Sequence, residues 1–366
     1  IMADIDKAIT FDEQVDLNVR DRTKGMEIEV DVTEENPDLD SFEQMEDGSI
    51  AFGEPTPPAE DTDFYANLAD IMPDSDLNSL KNDLMSNIES DKDSRGDWEK
   101  TYREGLEYLG MKYEERSQPF EGASGVMHPL LSESVTQFQA QAYNELLPSQ
   151  GPVKTQVLGM TTPETEQQAA RVQEFMNYQL MQVMKEYDPE TDQMLFYLPL
   201  SGSAFRKVYY DQNLGRAVSK FIPSEDLIVP YSATDLHSAT RITHVINMPM
   251  NDIRKLQQIG FYKDVDLDSG NMMADETDDI QEGIDELQGV KPSYDDDDTC
   301  KVHEIHTELD IEGFEDMNAE GEDTGIKLPY IVTIGNNKVL SIRRNYKEND
   351  QLKQRINYFV HYKFLP

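Results

Sequence analysis

The stretch Asp188–Ile222, DPETDQMLFYLPLSGSAFRKVYYDQNLGRAVSKFI, decides the fold class. Asp188-Pro189-Glu190 reads as a helix start, because a first-turn proline forfeits no hydrogen bond and acids suit the positive end of the helix dipole. Met194, Leu195 and Leu198 give that helix an apolar side. Ser201-Gly202-Ser203 then reads as a turn, and Phe205–Tyr210 and Ala217–Ile222 as strands. A helix that runs straight into successive strands, without a strand–helix–strand rhythm, predicts an α+β fold rather than a doubly wound parallel sheet.

Working outward, the same mixture continues. Upstream, Trp98, Tyr102, Leu106 and Leu109 recur at helical spacing. Leu131, Val135, Phe138, Ala142 and Leu146 form one apolar stripe on a helix from Pro129 to about Leu147, closed by Pro148. Val153, Thr155 and Val157 alternate as in a short strand. Thr161-Thr162-Pro163-Glu164 reads as a capped helix start, with Val172, Phe175 or Met176, Leu180, Val183 and Tyr187 continuing it. Downstream, Asp226–Val229, Ile242–Ile246 and Val302–Leu309 read as strands, and Met250–Ile259 as a short helix stopped by Gly260. Tyr330–Ile334 and Val339–Arg343 read as a hairpin around Gly335-Asn336-Asn337.

Charge divides the chain further. Its 366 residues carry a net −41. Residues 1–90 hold 25 acidic and 5 basic residues, and residues 264–326 hold 23 and 2. Residues 91–263 are near neutral, and residues 327–366 are basic, with 8 Lys and Arg against 2 acids. In the first block Ile28 and Val30 alternate with acids, and Pro55, Pro57 and Pro58 interrupt any long element. Low hydrophobicity with high charge does not offset an ordering cost of about 1–2 kcal/mol per residue. The expected organisation is therefore an acidic extended or disordered arm over 1–90, an α+β region over 91–263 and an acidic insert over 264–298. A strand and hairpin continuation follows over 299–366.

A charge of −41 disfavours a surface built to grip nucleic acid or an anionic membrane. No apolar run reaches the ~18 residues that span a bilayer. A single cysteine, Cys300, excludes an internal disulfide framework. The opening Ile1-Met2 reads as a fragment or a processed form.

Catalytic signals are sparse. Neither a Walker A spacing nor a GxGxxG is present. Glu121-Gly122-Ala123-Ser124-Gly125 is not a nucleophile elbow and reads as a turn. Cys300, His303 and His306 are three residues apart, which on a strand puts neighbours on opposite faces. Asp264, Asp266 and Asp268 have the 1, 3, 5 spacing of an EF-hand loop, with Asp275 at position 12, but the glycine falls one position late. That set is a weak metal candidate, and a calcium-dependent or other metal enzyme built on it is the least favoured reading. Arg343, Arg344, Lys347, Lys353, Arg355, Tyr358, Phe359, His361, Tyr362, Lys363 and Phe364 interleave charge with aromatics. Such a pattern binds nucleic acid or forms a strand with one aromatic face, and the alternation of Ile356, Tyr358 and Val360 favours the strand. No catalytic residue and no cofactor is expected. Phe42, Phe52, Phe64, Tyr65, Leu68 and Ile71 are candidate anchors by which the arm engages a partner.

Several stretches resemble the portal, or head-to-tail connector, proteins of tailed double-stranded DNA phages, short-tailed ones above all. They are Phe120–Pro129 with the helix through Gln139-Ala140-Gln141-Ala142, and Gly151-Pro152-Val153-Lys154-Thr155. The hairpin at Pro329–Ile334 and Val339–Arg344 belongs with them, as does Phe359-Val360-His361-Tyr362-Lys363-Phe364-Leu365-Pro366. The resemblance covers residues 95–366 discontinuously and omits the arm and the insert. It implies a portal-like wing of helices and antiparallel strands, with stem, clip and crown expected beyond residue 366. It further implies a twelve-membered ring at one capsid vertex of the virion, assembled in the host cytoplasm. The ring would contact the major capsid protein, the terminase and tail adaptors, and would pass double-stranded DNA without specific binding. The alternative is another scaffold or tail-adaptor protein of the virion.

Overall fold

The computed structural model describes residues 64–110, 120, 128–211, 214–267, 299–316, 323–348, 350 and 352–364. They fall into two units, one formed by 64–154 with 174–364 and the other containing 155–173.

In the larger unit a five-stranded antiparallel sheet runs in the order β3-β4-β5-β6-β7. Its strands are β3 (Leu227–Ile228), β4 (Arg241–Pro249), β5 (Thr299–Leu309), β6 (Leu328–Gly335) and β7 (Lys338–Arg344). A three-stranded antiparallel sheet is ordered β2-β1-β8, from β1 (Ser203–Asp211), β2 (Arg216–Ile222) and β8 (Phe359–Lys363). The expected mixture of helices and antiparallel strands is therefore present.

Each sheet alternates its side chains between two faces, and the faces set the layers. Ile305, Tyr330, Val332, Ile334 and Ile342 cover one face of the larger sheet. Packed on them are Leu68 and Ala69 of a 3₁₀ turn, and Leu77, Leu84 and Ile88 of helix α1 (Asp74–Asp93). The opposite face looks toward the smaller sheet, where Phe205 and Phe359 meet Leu227 and Ile242. The far side of the smaller sheet carries α5 (Tyr187–Ser201), through Met194, Leu195 and Leu198. Phe138, Ala142 and Tyr143 of α3 (Leu130–Leu146) pack onto the same cluster. Fully burying a Leu or Ile stabilises by roughly 1.5–3 kcal/mol, so these layers supply the main driving force.

Local chemistry fixes the joints. Gly202 ends α5 in the left-handed conformation, φ 78°, and its N–H donates to Leu198 O at 2.9 Å. That lets the chain reverse directly into β1. Asn336 and Asn337, at φ 44° and 60°, form the two-residue turn between β6 and β7. Two successive positive φ values are those of a type I′ turn, whose twist matches the strands. Trp98 and Tyr102 of α2 (Gly96–Leu109) stack at 5.2 Å, and Trp98 Nε1 donates to Ser201 O.

Three expectations need correction. The described part of the block read as an extended arm, 64–90, is folded: α1 begins at Asp74 and belongs to the main core. Tyr65 and Phe64 are held by Arg343 and Arg344, which donate to their carbonyls at 2.8 Å. The stretch Val153–Val157 is not a strand. Val153 instead bonds a side-chain amide, its N–H donating to Asn177 Oδ1 and its carbonyl accepting from Asn177 Nδ2. Finally, the helix expected to run through to Tyr187 is α4 (Pro163–Tyr178), which passes into a π turn at Gln179–Val183 before α5 begins.

Candidate functional site

Between the two sheets lies a cluster of charged and titratable side chains. Alternation along β5 points Glu304 and His306 to the same face, toward the smaller sheet. Register places His244 of β4 directly across from Glu304, and Lys207 of β1 enters from the other sheet. Lys207 Nζ lies 2.6 Å from both carboxylate oxygens of Glu304. His306 Nε2 is 2.7 Å from Glu304 Oε1, and its Nδ1 is 3.4 Å from Asn345 Nδ2. Asn345 Nδ2 can only donate, so His306 takes the tautomer that donates from Nε2 and accepts at Nδ1. Phe359 and Tyr358 close the site edge-on against the His306 ring.

Burial alone would raise the Glu304 carboxyl, but the Lys207 ammonium and the His306 bond more than offset it, so Glu304 is held far below the usual carboxylate range. Burial pushes His306 down despite its bond to Glu304. Burial, assisted by the Lys207 charge, pushes His244 down to about 3. Near neutral pH the cluster is therefore one ion pair flanked by two neutral imidazoles. Among the described residues, His306 bonds Glu304 and Asn345 and no hydroxyl or thiol. The adjoining hydroxyls, Thr333 and Ser341, bond one another at 3.0 Å. A separate cleft of about 420 Å³, lined by residues including Lys327, Lys353 and Arg355, touches none of the cluster. What the arrangement can do is clamp β1 to β5 and fix the spacing of the two sheets.

Of the residues singled out from sequence, His306, Tyr358 and Phe359 belong to this cluster, and the others lie elsewhere. His303 and His306 project to opposite faces of β5, and Cys300 is buried among Met250, Ile253 and Leu340. Asp264 and Asp266 sit in the segment leading to Leu267, which is buried in the same cluster. The Asp266 carbonyl accepts a hydrogen bond from Lys338 Nζ. Asp268 and Asp275 lie outside the described residues, as do Glu121–Gly125, Phe42 and Phe52. Phe64 is an anchor within its own chain: its ring meets Tyr346 edge-on at 5.3 Å and lies under the Arg344 guanidinium. In the basic end, β8 starts at Phe359, so Ile356 and Tyr358 precede the strand. Its three arginines and Lys353 are engaged internally. Arg355 donates to the carbonyls of Ala239, Leu236 and His237, and Lys353 pairs with Asp316.

Sequence reading missed the Lys207–Glu304 pair. The even spacing of Glu304 and His306 on a strand was the available signal, and nothing local points to Lys207.

Apolar surface also remains uncovered. The described helix α4 buries none of its side chains, and Val172, Phe175, Met176 and Tyr178 are exposed. α3 buries only Val135, leaving Leu130 and Leu146 exposed at its two ends. Among the described residues no helix is long and apolar enough to cross a membrane. No known protein family and no curated protein matches the sequence.

Proposed function

We propose that this chain is a structural subunit of a phage portal, the ring at one capsid vertex through which a separate terminase motor packs DNA and from which DNA leaves to the tail. The reading starts from the resemblance of 120–142, 151–155, the β6–β7 hairpin and the β8 region to that family. The observation that carries it beyond resemblance is the uncovered apolar surface of α3 and α4. A 16-residue helix with Val172, Phe175 and Met176 exposed has burial left to gain, and neighbouring copies would provide it. The clamp between the sheets suits a subunit that must hold its shape under load rather than perform chemistry. In the ring, the partners are further copies of the chain, the major capsid protein, the terminase and tail adaptors.

Negative-stain electron microscopy of the full-length protein tests this reading. Closed rings are expected, and replacement of Phe175 and Met176 by Glu should reduce them to single subunits. A full-length protein that remains monomeric at high concentration would refute the assignment.

A further inference from the structure

Three of the four sheet edges are closed by side chains. On β2, Phe221 N–H donates to Glu190 Oε2 at 2.7 Å, and Ala217 O accepts from Arg216 Nη1. On β7, Ile342 N–H donates to Asn67 Oδ1, while Leu340 O accepts from Asn67 Nδ2 and Lys263 N–H. β3 has two residues, and Arg95 Nη1 occupies Leu227 O. Unpaired strand edges invite pairing with another chain, and such blocking is how proteins prevent it.

β8 is different. Val208 N–H donates to Tyr358 O and Phe364 N–H to Gly202 O, so Tyr358, Val360, Tyr362 and Phe364 turn their backbone groups toward β1. Phe359, His361 and Lys363 turn theirs outward. The Phe359 N–H is taken by Asn357 Oδ1. Among the described residues, the N–H and C=O of His361 and Lys363 meet no partner. Beside this open edge the strand is two-sided. Val360, 45 % exposed, lies with Tyr362 and Phe364 on one face, and His361 lies with Lys363 on the other.

We infer that the outer edge of β8 is a strand-addition site, and that its occupant is the segment Met26–Val32 of a second copy of the chain. Met26-Glu27-Ile28-Glu29-Val30-Asp31-Val32 alternates strictly, with Met26, Ile28, Val30 and Val32 in one set and Glu27, Glu29 and Asp31 in the other. Laid along β8, the apolar set extends the Val360–Tyr362–Phe364 face. The acidic set then falls on the face of His361 and Lys363, where the Lys363 ammonium supplies the opposite charge that favours cross-strand pairing. Its main chain supplies the four bonds that His361 and Lys363 lack, the usual basis of strand addition. Assignment to a second copy rests on the ring proposed above, in which copies stand side by side.

Cysteine pairing in the full-length protein tests the inference. Val360 and Tyr362 face β1 with their backbones, so they form the close, non-hydrogen-bonded pairs with an added strand. The native Cys300 is buried and does not compete. Chains carrying V360C are mixed with chains carrying V30C or I28C and oxidised. A disulfide between the two variants is expected. It should be lost when a synthetic Gly25–Thr33 peptide is added in excess, or when the residue before or after the arm cysteine is replaced by Pro. Ser49→Cys serves as the control for random collision. A yield no greater than that control overturns the inference. Imaging of the same samples separates the two proposals. Rings without the disulfide leave the ring and remove the strand addition, whereas the disulfide without rings keeps the strand addition and removes the ring.

Discussion

Replacing Glu304 by Gln should destabilise the protein far more than replacing Lys207 by Met, and the difference should depend on pH. Lys207 Nζ is 2.6 Å from both Glu304 oxygens, in a site where both side chains are mostly covered. Two unit charges about 3 Å apart interact by about 5–6 kcal/mol at an effective dielectric near 20, most of which offsets desolvation. Glu304→Gln leaves an ammonium in that site beside two neutral imidazoles, so the cost should approach the ~3–5 kcal/mol typical of an orphaned buried charge. Lys207→Met leaves a carboxylate, but His306 already bonds it at 2.7 Å. Without the Lys207 ammonium, which disfavours its protonation, His306 rises in pKa and can take up the compensating proton. The Lys207→Met variant should therefore be nearly restored at pH 6 relative to pH 8, whereas Glu304→Gln should not. Urea denaturation followed by Trp98 fluorescence at the two pH values, with the double variant completing the cycle, measures both effects. Equal costs for the two substitutions, or a Lys207→Met cost independent of pH, would refute the view of the cluster as a clamp with a titratable reserve.

Asn67→Ala removes three hydrogen bonds, two of them closing the β7 edge, and should cost about 1–3 kcal/mol while increasing self-association, seen by denaturation and light scattering. Asn337→Val places a β-branched residue at φ 60° and should cost about 1–2 kcal/mol, whereas Asn337→Gly should be neutral or stabilising by the same assay. For pH, His244 and His306 are depressed in the folded state, so their contribution is complete above the unfolded value near 6.5 and is lost as pH falls toward the folded values. With His244 at about 3, its share lost by pH 5 is about 2 kcal/mol, and thermal unfolding of His244→Gln should show a flatter profile between pH 7 and 5 than the parent.

The helix-to-strand passage at 188–222 was readable because periodicity changes there from helical to alternating, with Gly202 marking the switch. Helix α1 was equally readable in principle, since Leu77, Leu80, Leu84 and Ile88 follow one face. Averaging charge over residues 1–90 hid it, because exposed acids on its outer side outweigh a single apolar stripe. Val153–Val157 failed for a different reason. Its alternation is real, but Asn177 occupies the Val153 backbone groups in place of a neighbouring strand. Asn67 does the same at β7, and a side-chain amide acting in this way leaves no periodic trace in the sequence. The Lys207–Glu304 pair joins residues 97 apart, so no local pattern encodes it.

The basic end shows how misleading a composition count is when surface and interior are not separated. Residues 327–366 carry 8 cations against 2 acids, which on a free surface would hold phosphates by releasing counterions. Arg343, Arg344 and Arg355 instead reach carbonyls on segments distant in sequence: Tyr65 and Phe261, Phe64, and the 236–239 loop. A guanidinium with its donors fixed on carbonyls stitches the chain together and has little left to offer DNA. The positive charge of this end is thus largely a folding device. With its three arginines so engaged, this end has little left with which to hold a phosphate backbone.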